Sequence, residues 1–199
     1  MKLPESFAIF LLAVAVALPA SATIVTFATD LDGITEIPPN ASPATGDALI
    51  TVDLDIFTMQ VQATFAGLIG TTTAAHIHCC TATPGASNVG VATNLPSFTG
   101  FPLGVTSGTY DHTFDMALAS SWNPAFVTAQ GGISNAFNAL LAGMETGNAY
   151  FNIHTTQFPG GEIRGLLFPA PAPAPEPATL ALLAFGLASL AAARRRTPS

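Results

Sequence analysis

Residues 46–65 read GDALITVDLDIFTMQVQATF. Apolar and polar side chains alternate through most of this stretch, which is the period of a strand and not of a helix. Ala48, Ile50, Val52 and Leu54 share one face of the first run. Phe57, Met59, Val61, Ala63 and Phe65 share one face of the second, with Thr58, Gln60, Gln62 and Thr64 opposite. Two half-buried strands that abut in this way predict an antiparallel hairpin, with a tight turn at Asp53–Asp55.

The same period returns in TIVTFA (23–28), TAAHIH (73–78), GTYDHTFDM (108–116), NAYFNIHT (148–155) and GEIRGLLF (161–168). Gly and Pro punctuate between them, as in IPPN (37–40), AGLIG (66–70), TPGASNVG (83–90) and FPGG (158–161). One segment keeps a different period. SNAFNALLAGMETG (134–147) sets Phe137, Leu140, Leu141 and Met144 on one helical stripe, with Ser134 as N-cap and Gly147 past the end. SSWNPAFVTAQGG (120–132) holds a further short turn anchored by Trp122. Many strands and one crossing helix predict a mainly β fold, an antiparallel Greek-key β-sandwich with one short amphipathic helix.

The two ends of the chain have other compositions. Lys2 precedes an apolar run from Phe7 to Leu18, and LPASAT follows with Ala20 and Ala22 in the small-residue positions of a secretory cleavage site. Residues 1–22 are therefore expected to be a signal peptide cut after Ala22. Residues 169–177 alternate Pro and Ala around Glu176, which favours a stiff extended spacer. Residues 178–193 are uncharged and rich in Leu and Ala, and Arg194, Arg195 and Arg196 close the run. That run is near the lower limit of about 17 residues for a bilayer span, and the arginines should stay cytoplasmic. An apolar C-terminal helix over 178–199, separate from the domain, is expected.

Pro175-Glu176-Pro177, then the apolar stretch, then the arginine cluster resembles the PEP-CTERM sorting signal of Gram-negative bacteria. The resemblance implies processing by an exosortase. The precursor would be held briefly at the inner membrane, and its product delivered to the cell surface or the exopolysaccharide matrix.

Between the ends lies one domain, residues 23–168. It holds ten acids against one base, Arg164, a formal charge of −9. Nucleic acid and anionic lipid surfaces are poor partners for such a domain. Three of its stretches resemble the CHRD domain, named for chordin and common in secreted bacterial proteins. They are LDGITEIPPNASPATGDALITVDL (31–54), GLIGTTTAAHIHCC (67–80) and GNAYFNIHTTQFPGGEIRGLL (147–167). The resemblance implies a β-sandwich in an extracellular setting and brings no known catalytic activity. The Cys79-Cys80 pair departs from the family, many of whose members carry Gly-Pro-Ala or similar there.

Four soft ligands crowd into AAHIHCC (74–80). In a strand His76 and His78 point to one face and Ile77 to the other. Tyr150, Asn152 and His154 share a face of their own strand. If the two strands pair, His76, His78 and His154 converge, a donor set suited to zinc or copper. The other reading makes these residues a hydrogen-bonded wall, with Arg164 paired to Glu162, to another carboxylate, or to the histidines and Asn152. The His-x-His resembles that of copper–zinc superoxide dismutases. Four histidines in the whole chain, with His112 the only one besides these three, are too few for that dinuclear site, so dismutase activity is not expected.

Free thiols rarely persist in an oxidising compartment. Cys79 and Cys80 thus suggest a vicinal disulfide, with an intermolecular bridge or thiolate ligation as alternatives. Asp30-Leu-Asp32-Gly33 opens like a calcium loop but lacks the remaining ligands, so a turn is expected. Asn40-Ala-Ser42 fits a glycosylation acceptor, which carries little weight in a bacterial chain. No nucleophile motif, phosphate loop or paired carboxylates are present, so no enzyme and no cofactor are expected. The expected function is a structural or adhesive surface module, with exopolysaccharide or other matrix components as partners and residues 81–109 as the contact surface. The alternative is a surface or periplasmic zinc- or copper-binding protein using His76, His78 and His154.

Overall fold

The alternation in residues 46–65 is realised as the central hairpin of an antiparallel sheet. A computed structural model describes residues 22–171. Its strands are β1 (Ile24–Asp32), β2 (Thr45–Asp53), β3 (Thr58–Ala66), β4 (Thr72–His78), β5 (Gly108–Asp115), β6 (Tyr150–Thr155), β7 (Ile163–Leu166) and β8 (Phe168–Pro169). β2 and β3 pair from Thr45↔Ala66 to Asp53↔Thr58, burying Ala48, Ile50 and Val52 with Met59, Val61, Ala63 and Phe65. The turn is longer than the sequence suggests, because Asp53 Oδ1 accepts from the backbone N–H of both Asp55 and Ile56 and holds residues 54–57 out of the ladder. Phe57 is therefore not on the buried face. It lies at the corner in the left-handed region (φ 54°), half-exposed, with its ring 5.3 Å from that of Phe137.

The strands form one curled antiparallel sheet in the order β4-β6-β7-β1-β2-β3-β5, with β8 beside β1. A single register pair, Asp32↔Arg164, joins β1 to β7. Two halves thus meet at a narrow seam, and one apolar core draws on both. Phe27, Ile50 and Val61 from one half cluster with Ile77, Phe151, Ile153 and Ile163 from the other. Phe98, in the long connection after β4, places its ring 5.4 Å from Phe114 and 5.7 Å from Phe151. Each such side chain contributes roughly 1.5–3 kcal/mol on leaving water.

Two helices, α1 (Pro124–Gln130) and α2 (Ile133–Glu145), close one end where the sequence suggested one helix and a turn. Asn123 accepts from the Ala125 N–H and Pro124 follows in the first turn, a start signal the apolar count alone passes over. Gly131, at φ 78°, ends α1, and Gly132 precedes α2. Ser134 consequently sits inside α2 and does not cap it. Phe137, Leu140 and Met144 are buried as the stripe predicts, but Leu141 is only half-buried. Among the described residues no helix is long and apolar enough to cross a membrane. The expected C-terminal helix, with Pro175, Glu176, Pro177, Arg194, Arg195 and Arg196, lies outside the described residues, as does most of the signal peptide.

β4, β6 and β7 turn Ala75, Ile77, Phe151, Ile153 and Ile163 into the core. Their opposite face carries His76, His78, Tyr150, Asn152, His154 and Arg164. It is roofed by residues 33–44 and by part of the 81–109 connection, so polar groups are buried there as thoroughly as apolar ones. Glu162, just before β7, pins this roof. Its Oε1 accepts from Ile69 N–H at 2.6 Å and Ser42 Oγ at 2.7 Å, and its Oε2 from Thr155 Oγ1 at 2.7 Å and Gly70 N–H at 3.1 Å. Burial alone would raise its pKa. The four donors outweigh it and hold the carboxyl below its usual range. Glu162→Gln exchanges two acceptor lone pairs for an amide that faces donors. The variant should lose about 1–3 kcal/mol in denaturant unfolding. An unchanged midpoint would show that the roof is held elsewhere.

Candidate metal centre

Two residues of spacing put His76 and His78 on the roofed face of β4, and antiparallel pairing with β6 brings His154 beside them. His76 lies opposite Asn152, and His154 opposite Ala74. The ring centroids form a near-equilateral triangle, 5.9 Å for His76–His78, 5.4 Å for His76–His154 and 5.7 Å for His78–His154. One ring nitrogen from each lies within 4.8 Å of those from the other two.

The second nitrogen of each ring is held by a backbone carbonyl. His76 Nε2 is 2.8 Å from Pro96 O, His78 Nδ1 is 2.8 Å from Val89 O, and His154 Nδ1 is 2.9 Å from Pro159 O. A carbonyl only accepts, so each of these nitrogens carries the proton. The tautomer is thereby assigned by its partner. In the neutral rings His76 Nδ1, His78 Nε2 and His154 Nε2 are left as bare lone pairs. All three are shielded from solvent and lack a hydrogen-bond partner in the protein. Burial depresses the pKa of His76 and of His78 to about 4, with the carbonyl contacts opposing it in part. It lowers His154 too, with the Arg164 charge adding to the effect. The site is three uncharged, oriented imidazoles. A metal–nitrogen bond is about 2.0–2.1 Å, so the rings need to close by about 1 Å to share one ion.

Aromatic and cationic layers back the triangle. The Tyr150 ring stacks on His78, centroids 4.8 Å apart and planes 5° from parallel. The Arg164 guanidinium lies 4.2 Å from the Tyr150 ring centroid. Arg164 Nε and Nη2 donate to Glu36 Oε2 at 3.0 and 2.8 Å, and Nη2 also donates to Asn88 Oδ1. The lone base of the domain thus pairs with Glu36 and not with Glu162, whose oxygens are taken by Ser42, Ile69, Gly70 and Thr155. Tyr150 Oη accepts from Val89 N–H at 3.2 Å and donates to Val89 O at 3.4 Å, so one peptide serves both the tyrosine and His78.

The structure brings His76, His78 and His154 together. It keeps His112 apart, on β5 between Tyr110 and Phe114. Cys79 and Cys80 are joined to each other by a disulfide, so neither sulfur is a thiolate. Cys79 is buried in the core against α2, where a Cβ on Gly143 would meet its sulfur at 2.5 Å. Asp32 opens a turn by accepting from Thr35 N–H at 2.7 Å. Sequence reasoning missed Asn88 and the three carbonyls. A backbone carbonyl has no residue-type signature; of the three, Val89 and Pro159 fall in stretches, TPGASNVG and FPGG, that Gly and Pro mark between strands, and Pro96 does not.

A curled antiparallel sheet with one face in an apolar core and the other roofed over a histidine cluster defines a mainly β module. The chain belongs to the CHRD domain family, whose signature matches residues 27–167. A PEP-CTERM protein-sorting motif matches residues 173–196, which implies export and processing by an exosortase. No curated protein and no solved structure matches the chain.

Rings held neutral by burial must charge when the protein unfolds in acid. Their folded pKa lies below the unfolded one, so their contribution is complete above about pH 6.5 and is lost as the pH falls towards 4. The metal-free protein should lose stability across that window, on the order of 3 kcal/mol for each of His76 and His78. Thermal unfolding followed by circular dichroism at half-unit pH steps checks this. A flat profile from pH 7 to pH 4 would mean that the rings are solvated or charged in the fold.

Proposed function

We propose that this exported CHRD protein is a surface-delivered metal-binding module that holds one copper or zinc ion through His76, His78 and His154. One observation carries the reading: three buried, pre-oriented lone pairs converge with no donor among them. Each unpartnered nitrogen costs about 1–3 kcal/mol. A trapped water has two protons to give and leaves the third nitrogen unpaired. A single cation with imidazole affinity answers all three. The carbonyl clamps on the far nitrogens are the usual outer support of a histidine–metal site.

Delivery follows the sorting motif. Residues 1–22 direct export and residues 178–199 hold the precursor at the inner membrane. Cleavage near Pro175-Glu176-Pro177 then releases domain 23–168 with part of the 169–177 spacer to the Gram-negative cell surface or matrix. The two halves of the curled sheet, which share one core, serve as a Greek-key sandwich. A structural or adhesive role in the matrix rests on the sorting motif, which argues for placement and names no ligand.

Elemental analysis of the purified full-length chain tests the metal centre. After equilibration with copper or zinc and desalting, about one ion per chain should remain, with a raised melting temperature. His78→Ala and His154→Ala should each lose the ion. A metal-free wild type whose melting temperature ignores both ions would sink the reading.

A further inference from the structure

Resting on that reading, we infer that the centre is built for monovalent copper and discriminates against the divalent ions. Charge is the first ground. The donor set is three neutral imidazoles, with no carboxylate and no thiolate. Of the two buried acids on this face, Glu36 is paired with Arg164 through Oε2 and Glu162 is taken by four hydrogen-bond donors. The two cysteines are tied to each other. A dication placed among the rings would therefore keep both charges uncompensated in a buried site, whereas a monocation keeps one.

The second ground is the layer behind the ligands. The guanidinium of Arg164 rests on Tyr150, and Tyr150 rests on His78, so the Glu36–Arg164 pair presents its cationic partner, and not its carboxylate, to the ring stack behind the ligands. A positive neighbour penalises each added charge on the ion. The third ground is number. Among the described residues the cluster offers three ligands and no fourth from His, Cys, Asp or Glu. Zinc held by three histidines completes its tetrahedron with a water, and cupric copper prefers a tetragonal set, so each needs a further ligand beside the rings. Cuprous copper, with one charge less, needs no further ligand and accepts three nitrogens in a trigonal plane. The near-equilateral arrangement of the rings suits that geometry.

The test compares affinities of the full-length wild-type chain. Cu(I) is titrated anaerobically against a chromophoric Cu(I) chelator, and Cu(II) and Zn(II) against their own indicators. The expected outcome is one Cu(I) per chain, bound at least about a hundredfold more tightly than Zn(II). Cu(I) should also be held at least tenfold more tightly than Cu(II), which appears as a rise of about 59 mV in the copper midpoint potential. X-ray absorption of the Cu(I) form should show three nitrogen neighbours. Zn(II) or Cu(II) binding as tightly as Cu(I) at these histidines would overturn this inference and leave the metal centre standing. If no ion binds, or if His78→Ala leaves Cu(I) affinity unchanged, the centre itself falls.

Discussion

A strand that buries its polar face must find a partner for every donor and acceptor on it. That constraint shapes this protein more than its apolar core does. β4, β6 and β7 are covered on both sides, by the core on one and by residues 33–44 and the 81–109 connection on the other. The two roof segments are fixed by what the polar face requires. Glu162 takes four donors, Arg164 takes Glu36 and Asn88, and each histidine takes a carbonyl. Left over after this matching are the three imidazole nitrogens, together with Glu36 Oε1, Asn94 Oδ1, Asn152 Oδ1 and Arg164 Nη1. In buried native structure such remainders are uncommon, and strain, a water, an ion or a catalytic role accounts for them.

Strand identity was legible from the sequence because period two survives wherever one face is apolar, as in residues 46–65. The convergence of His76, His78 and His154 was legible for the same reason: alternation fixes the face, and pairing of β4 with β6 does the rest. The partner of Arg164 was not legible. Glu162 and Glu36 look alike in sequence, and only the approach of the Ile69 and Gly70 amides to Glu162 separates them. Phe57 was misplaced because an aspartate at the end of a strand can capture the backbone amides two and three residues on and lengthen the turn, which no hydrophobic count registers. The first helix was missed because its start is written in Asn123-Pro124 and not in an apolar stripe.

The roof also explains how a loop-rich connection serves a site. Residues 81–109 contribute Phe98 and Phe101 to the core and the Val89 and Pro96 carbonyls to the histidines. A segment that reads as a variable contact surface is thus partly architecture. Val89 is the joint, since its peptide engages both His78 and Tyr150. Changes in the roof therefore reach the ligands through their second nitrogens without touching the ligating ones.

The adjacent cysteines have a consequence for the durability of an exported chain. Secreted domains commonly gain resilience from sulfur links between distant segments, which shrink the freedom of the unfolded chain in proportion to the loop enclosed. Here the only link joins neighbours in sequence and encloses almost nothing. It also uses up both thiols of the chain, so no copy can be stitched to another through sulfur. Endurance after export must then come from packing and from the roof.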